Sequence, residues 1–219
     1  MADLVAVYGS PRRRGNTSTL LGQAVQGVRE QGLTVQEFFL QEQKISPCLE
    51  LYHCQKKGEC SIKDDFQSLR DEILQARGLI LASPIFFYSV TAQTKAFMDR
   101  FQSLWVKKYL LDQVEFGQWE AKRLGLFISA GATKGKRLFE GTLLSVKYFL
   151  MFWICSFGTP FCTGAWTGKK IFWPIQSICR RLVLRVWSWP RPCMKVFRLL
   201  QRPGNKREAG EIRCKKGWQ

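Results

Sequence analysis

The chain has 219 residues, room for one α/β domain with a substantial core, and a formal charge of +17. That charge is divided unevenly: residues 1–150 carry 20 Lys+Arg against 15 Asp+Glu, whereas residues 151–219 carry 14 against 2. A nucleic-acid or membrane signature therefore does not describe the first 150 residues, which have the balance of a cytosolic enzyme. Met1–Tyr8 lacks a basic region followed by a long apolar stretch, so a secretory leader is not expected and a cytoplasmic location is.

Leu4–Tyr8 reads as a short buried strand, followed by the polar segment Gly9–Ser18 with three consecutive arginines. A helix from about Thr17 to Gln31 follows (Leu20, Leu21, Ala24, Val25, Val28) and stops near Gly32. A strand, a polar loop and a helix N-terminus make an anion site, because free backbone N–H groups and the positive end of the helix dipole face the loop. Ser10, Asn16, Thr17 and Ser18 add side-chain donors, and Arg12 to Arg14 add charge. A phosphate site accounts for these residues better than a capped turn with solvated arginines. Leu33–Leu40 alternates as a second strand, and Lys44–Lys63 forms a loop with three cysteines. Asp64 and Asp65 open a helix to about Arg77, with their charge at the favourable end of its dipole.

Leu79–Ala82 is wholly apolar, as expected of a parallel strand covered on both faces. Ser83–Tyr88 is then a loop, Thr91–Lys107 a helix and Arg123–Ser129 a fourth strand. The loop Ala130–Gly135 and another helix from near Gly135 follow. Alternating strands and helices imply an α/β fold with a doubly wound parallel sheet. In such a sheet the ligand lies beyond the carboxyl ends of the strands, where the strand order reverses. The loops Ser10–Thr17, Pro84–Tyr88 and Ser129–Gly135 all fall on that edge.

Three motifs in order, Gly9–Thr17, Ser83–Arg100 and Leu126–Gly135, are similar to those of the NADPH-dependent FMN reductase-like family of flavodoxin-like proteins, especially its iron–sulfur flavoprotein branch. The resemblance covers about residues 3–149 and implies a flavodoxin-like FMN-binding domain over 1–149. It implies that Ser10, Arg12, Asn16, Thr17 and Ser18 hold the FMN phosphate. Pro84, Ile85, Phe86, Phe87 and Tyr88 would line the ring, and Ser129, Ala130 and Gly131 would meet its pyrimidine side. The implied activity is an oxidoreductase passing hydride from NAD(P)H through FMN to a small-molecule electron acceptor. It implies a homo-oligomer too, with neither nucleic acid nor membrane as partner. The cofactor carries the chemistry, so no catalytic side chain is required. The alternative for Phe86, Phe87 and Tyr88 is a place in the core. Lys95 and Asp99, spaced for an i,i+4 pair, and Arg100 read as structural or interfacial.

Iron–sulfur flavoproteins carry four cysteines in the loop, with a compact C-x2-C-x2-C start. Here Cys48, Cys54 and Cys60 are present and Leu51 stands in the second position. A [4Fe–4S] cluster is normally held by four thiolates, so three reduced thiols with no metal is the preferred reading. A cluster with one open iron remains open, as does a zinc held by three cysteines and His53.

Beyond Phe149 the pattern changes. Tyr148–Gly168 holds no charge over 21 residues, and six of the eight tryptophans lie beyond residue 150. Two alternative functions follow: a membrane-tethered flavoprotein anchored by residues 148–168, or a nucleic-acid binder with a basic, tryptophan-rich tail. A third origin, translation out of frame, is testable from the genetic code. Restoring one base before Met151 forces Met151-Phe152 to give valine, Phe152-Trp153 leucine and Trp153-Ile154 aspartate. Further on, Trp166-Thr167 must give aspartate and Trp173-Pro174 alanine. The string this permits regains acids and helical pattern and resembles the family's C-terminal part. A single-base deletion near Phe149 is therefore expected, leaving 150–219 as an irregular tail without a domain and the sheet without its last strand and helix.

Overall fold

The structure, a computed structural model, describes residues 2–111, 123–133, 137–154 and 161–167. Strand β1 (Leu4–Tyr8) is apolar and buried from Val5 onward, because both faces of a central parallel strand are covered. Helix α1 (Asn16–Arg29) buries Leu21, Ala24, Val25 and Val28 in one stripe against the sheet. Its chain reverses at Gly32, whose φ of 79° suits a residue without Cβ. Strand β2 (Val35–Phe39) follows, then a 3-10 turn at Leu40–Glu42.

Within the cysteine loop lies a short helix, α2 (His53–Lys57), which the sequence pattern did not indicate. It has five residues, none buried, so it leaves no apolar periodicity to read. Helix α3 (Phe66–Gln75) buries Phe66, Leu69 and Ile73, and strand β3 spans Gly78–Pro84. The single helix expected over Thr91–Lys107 is two, α4 (Ala92–Arg100) and α5 (Gln102–Tyr109). They join at Phe101, where Phe101 N–H donates to Met98 O and Leu104 N–H to Phe101 O, a tighter i,i+3 turn. Strand β4 (Leu124–Gly131), helix α6 (Glu140–Ile154) and strand β5 (Phe161–Thr167) complete the described elements.

The strands form one parallel sheet in the order β2-β1-β3-β4-β5, the flavodoxin-like order, with its reversal between β1 and β3. On one face Val5, Val7, Leu79, Leu81 and Phe127 pack against α3, α4 and α6. Phe66, Phe97, Phe101 and Phe149 meet there edge to face, with ring centroids 5.1–5.8 Å apart. On the other face Ala6, Tyr8, Ile80 and Ala82 pack against α1.

One expectation is corrected. The last strand is not missing: Phe161–Thr167 runs parallel to β4, pairing Gly125 with Phe161 through Gly131 with Thr167. The exposed edge of β4 offers backbone donors and acceptors to any extended segment, and Phe-Cys-Thr-Gly-Ala-Trp-Thr is rich in residues that favour extension. The uncharged stretch 148–168 is shared between the end of α6 and β5 and is not one helix. Among the described residues no helix is long and apolar enough to cross a membrane. Lys134, Gly135 and residues 155–160 and 168–219, where an irregular tail without the last helix is expected, lie outside the described residues.

A buried ion pair ties the cysteine loop to this frame. Arg100 Nη1 donates to Asp64 Oδ2 at 2.6 Å, and the Arg100 side chain is inaccessible to solvent. Burial alone would raise the Asp64 carboxyl; the Arg100 guanidinium and the N–H groups of Ser46 and Phe66 outweigh it and hold the carboxyl below its ordinary value. A depressed carboxyl stabilises the fold fully above its unfolded pKa, and that contribution is lost as pH falls through the lower, folded pKa. Urea unfolding of the chain is therefore expected to lose stability as pH drops below about 4, with a shallower loss in Asp64→Asn. At neutral pH Asp64→Ala should cost about 3–5 kcal/mol, because it strands the buried guanidinium.

Candidate functional site

The carboxyl ends of β1, β3 and β4 lie side by side, Tyr8 beside Ala82 and Pro84 beside Ala130. This register brings together the three loops singled out in the sequence. Buried hydroxyls then lock them to one another. Thr91 Oγ1 donates to Gly9 O at 2.6 Å, and Thr94 Oγ1 lies 2.8 Å from Thr91 Oγ1. Thr91 N–H donates to Ser83 Oγ at 3.0 Å, and Ser129 Oγ–H donates to Ser83 O at 2.7 Å. Ser83, Thr91, Thr94 and Ser129 are all buried. Gly9 N–H donates to Ala82 O, and a Cβ on Gly9 would stand 2.0 Å from Thr94 Oγ1. Only glycine allows so close an approach.

The first loop is shaped mostly by its own groups. Ser10 Oγ accepts from Arg12 N–H at 3.2 Å, and Ser18 Oγ donates to Arg12 O at 2.8 Å. Gly15 is the N-cap of α1, so no side chain caps the helix, and its first turn holds no acidic residue. The opening N–H groups of a helix lack partners within it, and here the positive end of the dipole faces the loop. Thr17 is buried beside them, and its hydroxyl makes no hydrogen bond among the described residues. Asn16 and Arg12 are exposed at the rim. These donors fit a phosphate.

Arg13 is committed elsewhere. It pairs with Glu42 in a fork, Nε to Oε1 at 2.5 Å and Nη2 to Oε2 at 2.6 Å. Its guanidinium lies 4.2 Å over the Phe39 ring, whose other partner is the stacked ring of Tyr8 at 4.2 Å. Burial pushes the Tyr8 phenol up, and donation from its Oη to Glu37 Oε2 at 2.5 Å adds to the effect. The loop is thus fastened to the end of β2. Glu42 and Phe39 are contributions that the sequence motif did not reveal, since they lie near 30 residues away with no pattern linking them.

The second loop is an open aromatic platform. Pro84 ends β3, Ile85 N–H donates to Ala130 O, and Phe86 and Ser89 exchange backbone hydrogen bonds. Phe86 and Tyr88 are exposed and Phe87 fully so, at 102%. A core role for these three rings is thereby overturned. Phe87 and Tyr88 have φ of 49° and 63°, which aims a tight turn outward, and Tyr88 O accepts from Thr142 Oγ1 at 3.2 Å. In the third loop Ser129 and Ala130 are buried, while Gly131 passes so near Leu138 that a Cβ there would lie 2.4 Å from it. Ser129, with its hydroxyl on Ser83 O, holds the loops rather than presenting a side chain to a ligand. Lys95 and Asp99 form the expected i,i+4 pair at 2.6 Å. Arg100 is structural, as read from the sequence.

Comparison with known proteins places this arrangement. Residues 2–155 match the sequence model of the family described as NADPH-dependent FMN reductase. An iron–sulfur flavoprotein of Archaeoglobus fulgidus is 32% identical over 178 residues, covering 80% of this chain and 84% of that protein. A putative NAD(P)H-dependent FMN-containing oxidoreductase of Bacillus subtilis is 34% identical over 97 residues, 44% of this chain and half of its own length. Among solved structures, the Trp repressor binding protein from Bacillus subtilis superposes with a TM-score of 0.54 at 20% identity, over 82% of this chain and 97% of that one.

The hydroxyl lock is checked by Thr91→Val, which keeps the shape and removes the O–H. It leaves the buried Gly9 carbonyl with only the longer bond from Thr94 Oγ1 at 3.4 Å and should cost about 1–3 kcal/mol in urea unfolding. Thr91→Ser, which keeps the donor, should recover most of that loss.

Proposed function

Since the chain belongs to the NADPH-dependent FMN reductase family, we propose that its three-loop edge is the FMN site. On this reading the phosphate sits on the first turn of α1, against Ser10, Asn16, Thr17 and Ser18 with Arg12 at its rim. The ring lies on Pro84–Tyr88 beside Ser129–Gly131. The observation that carries the reading is the uncapped start of α1, with the buried residue Thr17 beside it, on the same sheet edge as the exposed aromatic turn at Phe87. A flavin is a flat apolar ring on a dianionic tail and needs donors at one end and an aromatic, backbone-lined surface at the other.

Bound there, FMN would supply hydride and electron transfer between NAD(P)H and the acceptor. The chain's own residues bind and orient. Backbone N–H groups of α1 neutralise the phosphate without a counter-charge of their own. The fork between Arg13 and Glu42 and the hydroxyls of Thr91 and Ser129 keep the two ends of the site at fixed separation. The net conversion takes NAD(P)H, a proton and an oxidised acceptor to NAD(P)+ and the two-electron-reduced acceptor. We assign a small-molecule acceptor and a homo-oligomeric, cytoplasmic enzyme. Among the described residues no helix is long and apolar enough to serve as the membrane tether.

The test is flavin titration followed by fluorescence quenching, with FMN and riboflavin compared. FMN should bind and riboflavin, lacking the phosphate, should bind more weakly. Thr17→Val should raise the Kd for FMN about tenfold or more, and Glu42→Gln about two- to fivefold, each leaving riboflavin nearly unchanged. Equal losses for both flavins would place the phosphate elsewhere, and no binding of either would remove the reading.

For the C-terminal third we propose the out-of-frame origin, with 1–149 as the FMN-binding domain and activity impaired in this chain. It is supported by the fall to two acids, Glu208 and Glu211, against 14 Lys+Arg beyond residue 150, and by the forced Val-Leu-Asp in the restored frame. Resequencing of the gene should recover the missing base near the Phe149 codon. An intact frame, with a protein mass that includes this tail, would refute it.

A further inference from the structure

The loop between β2 and α3 is closed at its neck by the protein itself. Lys44 N–H donates to Asp65 Oδ2 at 2.6 Å, and Asp65 N–H returns to Lys44 O at 3.2 Å. One step inward, Ser46 N–H donates to Asp64 Oδ2 at 2.9 Å. Arg100 spans the same neck: Nη1 donates to Asp64 Oδ2 and to Ser46 O at 3.0 Å, and Nη2 to Ile62 O at 3.1 Å. Gln67 Nε2 donates to the same Ile62 carbonyl. The guanidinium lies 4.7 Å over the Phe66 ring. Burial alone would lower the Arg100 guanidinium; the Asp64 carboxylate and the Cys60 sulfur outweigh it and hold it above its ordinary value.

The donor set of the loop does not fit a four-iron cluster, although some relatives are named iron–sulfur flavoproteins. Such a cluster is held by four thiolates. The loop has three cysteines, and Leu51, midway between Cys48 and Cys54, is 60% exposed. Cys48 is exposed while Cys54 and Cys60 are partly buried, and no three His, Cys, Asp or Glu side chains group to hold a metal among the described residues. Cys162 belongs to β5, at the opposite edge of the sheet from β2, so it supplies no fourth thiolate.

We propose that the cysteine loop of this chain holds no [4Fe–4S] cluster: the missing thiolate at Leu51 removes the site, and Arg100 and Asp64 keep the loop in place without metal. This stands apart from the FMN reading, and flavin retention is measured separately. The experiment is anaerobic incubation of the full chain with ferrous iron, sulfide and a thiol reductant. Desalting and assay of iron and acid-labile sulfide follow. The wild-type chain should retain neither in stoichiometric amount, whereas Leu51→Cys should retain both. Stoichiometric iron and sulfide on the wild type would overturn the proposal, as would their absence from a folded Leu51→Cys. The clamp is read by trypsin cleavage in the loop at Lys56 and Lys57. Cleavage of the wild type should be indifferent to a chelator and should quicken about tenfold or more in Arg100→Gln. Asp64→Asn serves as the milder variant should Arg100→Gln fail to fold. A wild-type loop that a chelator loosens, or one that neither variant loosens, would refute the clamp.

Discussion

The carbonyl of Gly9 is the point to which the whole site is tied. It receives the Thr91 hydroxyl at 2.6 Å, while the Thr91 N–H reaches Ser83 Oγ and the Ser83 carbonyl takes the Ser129 hydroxyl. Three strand ends are thereby linked by hydrogen bonds that exclude water, where an unmade bond costs more than a made one contributes. Parallel pairing alone would set the strands in register but would leave the loops beyond them free. The hydroxyl chain carries that register past the end of the sheet. It also explains Gly9: the backbone and the Thr94 side chain approach so closely that no Cβ fits.

The electrostatics of the edge follow from where each arginine goes. Arg13 is spent on Glu42 and the Phe39 ring, and the sandwich continues to Tyr8, whose phenol is bonded to Glu37. Its charge is balanced locally and shapes the loop. What remains for an anion is the start of α1, where partial charges on N–H groups point one way and need no counter-ion. Such a cradle selects a compact dianion by direction as much as by charge. Had Arg13 faced the ligand, the loop would gain charge but lose its fastening to the end of β2.

Much of the fold was legible because its strands are short apolar runs and its helices carry regular stripes. β1 was placed at its observed ends, the parallel doubly wound sheet follows from alternation, and its 2-1-3-4 order is the flavodoxin-like one that the family resemblance implies. The loops of the site were legible as motifs, since Gly, Ser, Thr and Pro cluster where strands end. Less visible were interactions that depend on chain closure. Glu42 meets Arg13 across 29 positions, and Thr91 meets Gly9 across 82. The helix break at Phe101 was hidden because the apolar spacing runs through it. The short α2 was hidden because none of its residues is buried. β5 was missed for a different reason: strand pairing uses backbone groups, so an edge accepts an extended segment whose sequence carries no helical or alternating signal.

Helix α4 joins the two functional regions. Thr91 caps its start and belongs to the hydroxyl chain of the three-loop edge, while Arg100, its last residue, clamps the cysteine loop. Nine helical residues span about 13 Å, a rigid distance that neither end can change without unwinding the other. Phe97, packed against Phe101 and Phe149, anchors the middle of this strut in the core. The same strut ends on a buried ion pair. The cysteine loop can then keep its place without metal, because its position is determined from α4 and not from its own thiols. That is why the loop can be held with Leu51 between Cys48 and Cys54, and why the three-loop edge does not depend on its thiols.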